Sequence, residues 1–283
     1  MELGILSLGD LQRDLATGRL HRPVDRTAAI LGYAALADQL GLDIFAVGEH
    51  HSADFFTSSP AVVLAAVAAK TTAIRLASAT TLLGVHDPVR VYEDFATVDV
   101  ISRGRAEIIA GRSAFVEPFQ LFGYDTADYD ALFAEKLGLL LRIRSSAEVT
   151  WQGRFRPALD AAFVAPRAVQ SPLPVWVGVG GSPESVKRAG RLGLPMILGY
   201  IGGTLAHLRQ LVDIYRAAGE HAGHAEALKV AVSTHFHAGA DPVAARAVYP
   251  YYHEYLRPKT PGGRGFEVSR AAFDASTGPD GAI

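Results

Sequence analysis

No cysteine occurs among the 283 residues, which excludes disulfides, thiolate metal sites, iron–sulfur clusters and cysteine nucleophiles. Any metal would have to rest on histidine and carboxylate ligands. An excess of one charge sign is also missing: 27 Lys and Arg face 29 Asp and Glu, a formal net charge of −2. Nothing here holds a polyanion by counterion release, so nucleic acid is not expected as a partner. Long apolar runs are absent as well. The longest, such as Ala61–Ala69, reach about half of the roughly 20 residues that span a bilayer, so no membrane association is expected. The opening Met1-Glu2-Leu3-Gly4 has no cationic segment of the secretory kind, and the expected location is the cytoplasm. What is present is a composition of 49% hydrophobic and 20% charged residues, that of a folded globular chain. One domain is expected over residues 1–283.

Short β-rich runs alternate with longer helical patterns. Strands are predicted at Leu3–Leu8, Asp43–Gly48, Ile74–Leu83, Arg105–Ala110, Val175–Val179, Pro195–Ile201 and Lys229–Phe236. Helices are predicted at Asp25–Leu40, Pro60–Lys70, from Pro88 to the Ser102-Arg103-Gly104 turn, and at Tyr129–Arg144. Further helices follow at Pro183–Leu192, Thr204–Ala222, Asp241–Tyr255 and, in the tail, Phe266–Ala275. The stretch Val149–Val169, with Gly153, Pro157 and Pro166, reads as a hairpin and loop. Seven β-then-α units whose strands are apolar on both faces require a parallel sheet covered by helices. Size and the lack of an internal linker favour a closed (β/α)₈ TIM barrel over a doubly wound sheet. An eighth βα unit is not legible before Ile283.

A barrel of this kind gathers its chemistry at the loops after the strands. Gly180-Gly181-Ser182-Pro183-Glu184 ends one strand and opens a helix. Unpaired N–H groups at a helix N-terminus bind phosphate, and Ser182 is either a phosphate ligand or simply the cap. Arg112, just past Gly111, is either a bidentate phosphate fork or the partner of a loop carboxylate such as Glu117. Together these features suggest a phosphorylated cofactor. Glu49-His50-His51 is the densest ionisable cluster. Adjacent side chains on extended backbone point to opposite sides, so His50 and His51 cannot share one metal, and no metal site is expected. His50 is either a proton-exchanging group facing the pocket or one of two structural histidines. His235-Phe236-His237 has a spacing that suits a metal but lies on the wrong strand for a barrel metallohydrolase, and His86 reads as a helix-entry residue.

Asp43-Ile44-Phe45-Ala46-Val47-Gly48-Glu49-His50-His51, Asp87-Pro88-Val89-Arg90, Ser102-Arg103-Gly104-Arg105-Ala106-Glu107 leading to Gly111-Arg112, Leu121-Phe122-Gly123-Tyr124, and Pro174–Gly181 followed by Ser-Pro-Glu-Ser resemble the bacterial luciferase-like flavin-dependent monooxygenases. The resemblance implies a (β/α)₈ barrel that binds FMN and uses the reduced flavin with O₂ to oxidise a small organic substrate. Electrons would come from NAD(P)H or a separate flavin reductase, and one further strand and helix would follow Ile283. It assigns the catalytic role to His50 and phosphate contacts to Arg112 and Ser182, with Gly180 and Gly181 shaping that pocket. Ala79-Thr80 falls where such barrels place a non-prolyl cis peptide beneath the flavin ring. Gly111 stands where luciferase proper has a reactive cysteine, which argues against light emission. Two alternatives stay open: an F420-dependent oxidoreductase on the same barrel, and a flavin-binding barrel without turnover. Apolar outer helices such as Ala61–Ala69 suggest a homodimer.

Overall fold

The computed structural model describes residues 1–14, 17–257, 267–278 and 280–281. The chain divides into two compact units, Met1–Asp14 with Arg19–Gly178, and Leu15–Gly18 with Val179–Ile283.

The first unit begins with β1 (Gly4–Ser7) and α1 (Pro23–Gln39), then β2 (Ile44–Val47) and α2 (Pro60–Ala68). Strands β3 (Arg75–Ser78) and β4 (Thr81–Leu82) lead through a 3₁₀ turn (Leu83–Val85) to α3 (Pro88–Ser102) and β5 (Ala106–Gly111). Helices α4 (Glu117–Phe122) and α5 (Tyr129–Ser145), the hairpin β6 (Glu148–Trp151) and β7 (Leu159–Phe163), and β8 (Val175–Val179) complete it. The strands are parallel in the order β1-β2-β3-β5-β8, with Gly4 opposite Ile44, Ile44 opposite Arg75, Leu76 opposite Ala106 and Ile108 opposite Val175. Strand β4 pairs with β5.

Burial explains why these runs are strands. All six residues of β5 are buried, as a strand covered on both faces by neighbours must be. Helix α1 buries Ile30, Ala34 and Ala37, a single stripe at helical spacing. Helix α3 starts where Asp87 accepts from Val89 N and Pro88 takes the first turn, and it stops at Arg103, whose φ of 60° is left-handed. Buried Asp99 on α3 then ties the next strand in place, accepting from Ala106 N at 3.0 Å and from Gln170 N at 2.9 Å.

Strand β1 pairs with β2 alone among the described residues, and Leu3, Ile5 and Leu6 are exposed. The predicted Ile74–Leu83 run is two strands rather than one. Ser78 Oγ accepts from Ile109 N at 3.2 Å and from Thr81 Oγ1 at 2.8 Å, so side-chain bonds replace the ladder across Ala79-Thr80, whose peptide is cis. The stretch after Gly111, irregular in the sequence, holds α4, which ends at Gly123 with φ 76°. Phe119 of α4 packs on Leu82, Val85 and Leu132.

In the second unit β9 (Met196–Gly199) and β10 (Val230–Ser233) are parallel, Met196 opposite Val230. Helix α6 (Pro183–Arg191) packs on α7 (Leu205–His221) so closely that a Cβ on Gly190 would lie 2.4 Å from Tyr215 O. Tyr215 Oη donates to Leu194 O and Lys229 O, fixing α7 against both strands. The single helix predicted at Asp241–Tyr255 is instead α8 (Pro242–Arg246) and α9 (Tyr249–Leu256), because Pro250 lacks an N–H and fits only a first turn. Helix α10 (Arg270–Ser276) matches the tail pattern, whose first residue, Phe266, lies outside the described residues.

Candidate functional site

The carboxyl ends of β2, β3, β5 and β8 bring Glu49, His50, Ala79, Thr80, Gly111, Arg112 and Gly178 to one side of the first unit. His50 follows β2 and is held by its backbone N–H donating to Thr57 O at 2.9 Å. Its ring stacks on Phe55 with centroids 4.0 Å apart and meets the edge of Phe115 at 5.8 Å. Nδ1 of this imidazole is buried without a hydrogen-bond partner, so one polar atom in the site awaits a partner. Burial between the two aromatic rings pushes its pKa down to about 4, against the opposing pull of the Glu49 and Asp10 charges.

Glu49 and His51 turn the other way, as alternation along extended backbone requires. Oε1 of Glu49 accepts from His51 Nε2 at 2.8 Å and from His86 Nε2 at 2.5 Å, while Oε2 accepts from Leu82 N at 3.0 Å. Burial alone would raise this carboxyl. The hydrogen bonds from His51, His86 and Leu82, with the charge of His86, outweigh it and hold Glu49 below the usual range. His86 therefore does more than enter a helix: it closes a triad across 37 positions of sequence.

Thr80 occupies the space between two strand ends. A Cβ on Gly111 would lie 2.1 Å from Thr80 Oγ1, and one on Gly178 would lie 2.5 Å from Thr80 Cγ2. Glycine at 111 is thus required by packing. Arg112 pairs with Asp130 at 2.5 Å rather than with Glu117, and its guanidinium lies over the Tyr129 ring, 5.0 Å from the centroid. Tyr129 in turn donates to Ser113 O at 2.8 Å.

In the second unit, Ser182 caps α6: its hydroxyl accepts from Ser185 N at 3.3 Å and bonds Ser185 Oγ at 2.7 Å. Gly181 has φ 90°, which a side chain would strain, and nothing lies within 4 Å of where a Cβ on Gly180 would sit. The loop is open on that side. His235, past the end of β10, bonds Tyr252 Oη through Nδ1 at 3.1 Å, and its partner is an aromatic hydroxyl rather than His237. Among residues that sequence reasoning missed, Phe55, Phe115 and Asp130 carried no local signal, since each acts across the fold.

Buried parallel strands that end in polar and glycine-rich loops define the class: an α/β-barrel fold, shared with solved structures. The family profile described as luciferase-like monooxygenase matches residues 1–276, and the chain belongs to that family. It is 32% identical over 165 residues to 4-hydroxyprotoasukamycin monooxygenase of Streptomyces nodosus subsp. asukaensis, covering 58% of this chain and 44% of the relative. The chain spans about half the length of the curated relatives it matches. It is similar in fold to the oxygenating constituent of 3,6-diketocamphane monooxygenase from Pseudomonas putida, solved in complex with FMN (TM-score 0.69, 20% identity, 81% of this chain and 66% of that one). It is also similar to an F420-dependent secondary alcohol dehydrogenase in complex with an F420-acetone adduct (TM-score 0.74, 17% identity, 94% of this chain and 78% of that one). No described helix is long and apolar enough to cross a membrane.

Proposed function

We propose that this chain is an FMN-dependent monooxygenase that uses reduced flavin and O₂ to oxidise a small organic substrate in the cytoplasm, as a homodimer. The observation that carries the reading is His50: an imidazole stacked on Phe55 and beside Phe115, past the carboxyl end of β2, whose buried Nδ1 has no partner. An unmet ring nitrogen set beside two aromatic rings gives a bound heteroaromatic ring one polar contact and apolar edges to pack on. When bound, the reduced flavin supplies the electrons and the oxygen chemistry, and NAD(P)H or a separate flavin reductase renews it.

The chain's residues then do the rest. Phe55 and Phe115 exclude water from the recess, and His50 offers one nitrogen that accepts a proton and one that donates. Thr80, wedged against Gly111 and Gly178, and the neighbouring Ala79 form the floor. Arg112 holds an anionic cofactor tail once it leaves Asp130. Taken by itself, the open Gly180-Gly181-Ser182 loop offers the N–H groups of the α6 N-terminus to an anion.

Rapid mixing of reduced-FMN-loaded protein with O₂ tests this. The wild type is expected to delay the return of oxidised-flavin absorbance relative to free flavin, while His50→Ala binds FMN equally well but loses the delay. Identical traces for the two proteins would refute the role of His50. An F420 cofactor is the second reading, supported by the similar F420-dependent dehydrogenase fold, and it predicts binding of F420 with no reaction of FMN with O₂ beyond the free rate.

A further inference from the structure

Glu49, His51 and His86 form a cluster that the flavin reading does not use. Their ligand-capable atoms all lie within 4.8 Å of one another. We propose that this cluster binds a divalent transition metal ion of the zinc type, with Glu49 Oε1 and the Nε2 atoms of His51 and His86 as its three protein ligands. The inference adjoins the His50 site but does not depend on the proposed flavin chemistry.

Convergence is the first reason. Two imidazoles from separate loops aim their Nε2 atoms at one carboxylate oxygen, at 2.8 Å and 2.5 Å. Tetrahedral zinc with Zn–N and Zn–O bonds near 2.0–2.2 Å keeps its ligand atoms roughly 3.3 Å apart. Each Nε2 therefore has to draw back from Oε1 by less than about 1 Å, and His86, whose side chain is 27% exposed, is the member with room to move.

Orientation is the second. Glu49 Oε2 is held by Leu82 N–H at 3.0 Å, an outer hydrogen bond of the kind that fixes a metal-ligating carboxylate. The edges of both imidazoles meet the Phe122 ring, at 5.0 Å for His51 and 5.2 Å for His86, which covers the cluster on one side and keeps its dielectric low. A cavity of about 10 Å³, room for one water, touches Glu49 and His51 and also His50 and Phe115, so a water completing the ion's coordination would come from the His50 side of the loop.

Donor chemistry selects the ion. Two imidazoles and one carboxylate suit zinc, cobalt, nickel or copper, whereas magnesium and calcium prefer oxygen alone. The chain has no cysteine, and this is the group of three His or carboxylate side chains that converges among the described residues. Binding needs no external reagent: the two imidazoles present their Nε2 lone pairs to the ion, any proton displaced passes to Nδ1 or to water, and coordinate bonds replace the two contacts to Glu49 Oε1. The consequence is mechanical. An ion here clamps the loop on either side of His50 to the turn that carries His86. In the sequence His51 stands beside His50; folding brings it to Glu49 together with His86, 35 positions further on.

The test uses the full chain, stripped of metal with a chelator, and cobalt(II) as the probe. One equivalent of Co²⁺ is expected to bind with a visible absorption band of four-coordinate type. Zinc is expected to displace it one-for-one and to raise the melting temperature. His86→Ala should weaken binding by about tenfold or more and abolish the melting shift, while His221→Ala, a surface control, should change neither. Absence of saturable Co²⁺ binding to the wild type would overturn the proposal, and so would binding that His86→Ala leaves intact. The wild-type stoichiometry and spectrum decide the matter without any variant, should His86→Ala not fold.

Discussion

Thr80 and Gly111 are fitted to each other: the threonine hydroxyl stands 2.1 Å from where any side chain at 111 would begin. Thr80 also presses on Gly178, so one side chain locks the ends of β5 and β8. Gly111→Ala is expected to destabilise the fold by about 1–3 kcal/mol, the usual cost of overpacking. Thr80→Gly placed in the Gly111→Ala background should recover a large part of that loss, because the two substitutions meet at one contact. Chemical denaturation of the two single variants and the double variant measures the coupling, and strict additivity would contradict the packing described.

Arg112 faces a choice between Asp130 and a ligand. Asp130 is 72% exposed, and exposed ion pairs contribute only about 0–1 kcal/mol, so an incoming phosphate group can displace it. Arg112→Ala is expected to weaken FMN binding about tenfold or more while leaving riboflavin, which has no phosphate, little changed. Fluorescence titration with both flavins checks this. Equal weakening of both would assign Arg112 to packing on Tyr129 instead.

Much of this fold is legible in the sequence, for a physical reason. Strands such as Ala106–Gly111 are buried on both faces, and each parallel crossover needs a helix, so apolar runs and helical stripes alternate in plain view. Caps show too: Asp87-Pro88 and Ser182-Pro183 start helices where the sequence says they should. The site is legible only where it is local. The Glu49-His50-His51 string announces chemistry, yet its partners Leu82 and His86 are brought in by folding. The same holds for Asp130, which takes Arg112 from the nearer Glu117 because α5 presents it directly. Helix α4 escaped notice because six residues are too few to show a stripe.

Lys136 is a second internal pressure point. Its ammonium donates to Gly84 O at 2.7 Å and lies 3.9 Å from the centre of the Tyr124 ring. Burial, against the pull of Asp87 and Glu135, lowers its pKa to about 8. The unfolded chain, titrating near 10.5, then holds more protons than the folded one between pH 8 and 10.5, so this group's contribution to stability rises with pH across that window. Denaturation of wild type and Lys136→Met at pH 7.5 and pH 10 isolates it. The wild type should gain on the variant as pH rises, and a difference independent of pH would contradict the lowered value.

The central claim is that the recess around His50 is built for a reduced flavin. Anaerobic titration of the purified chain with reduced FMN, and separately with reduced F420, tests it most directly. The account predicts saturable one-to-one binding of reduced FMN at micromolar concentration and markedly weaker binding of F420. Tight binding of F420 alone, or of neither cofactor, would contradict it.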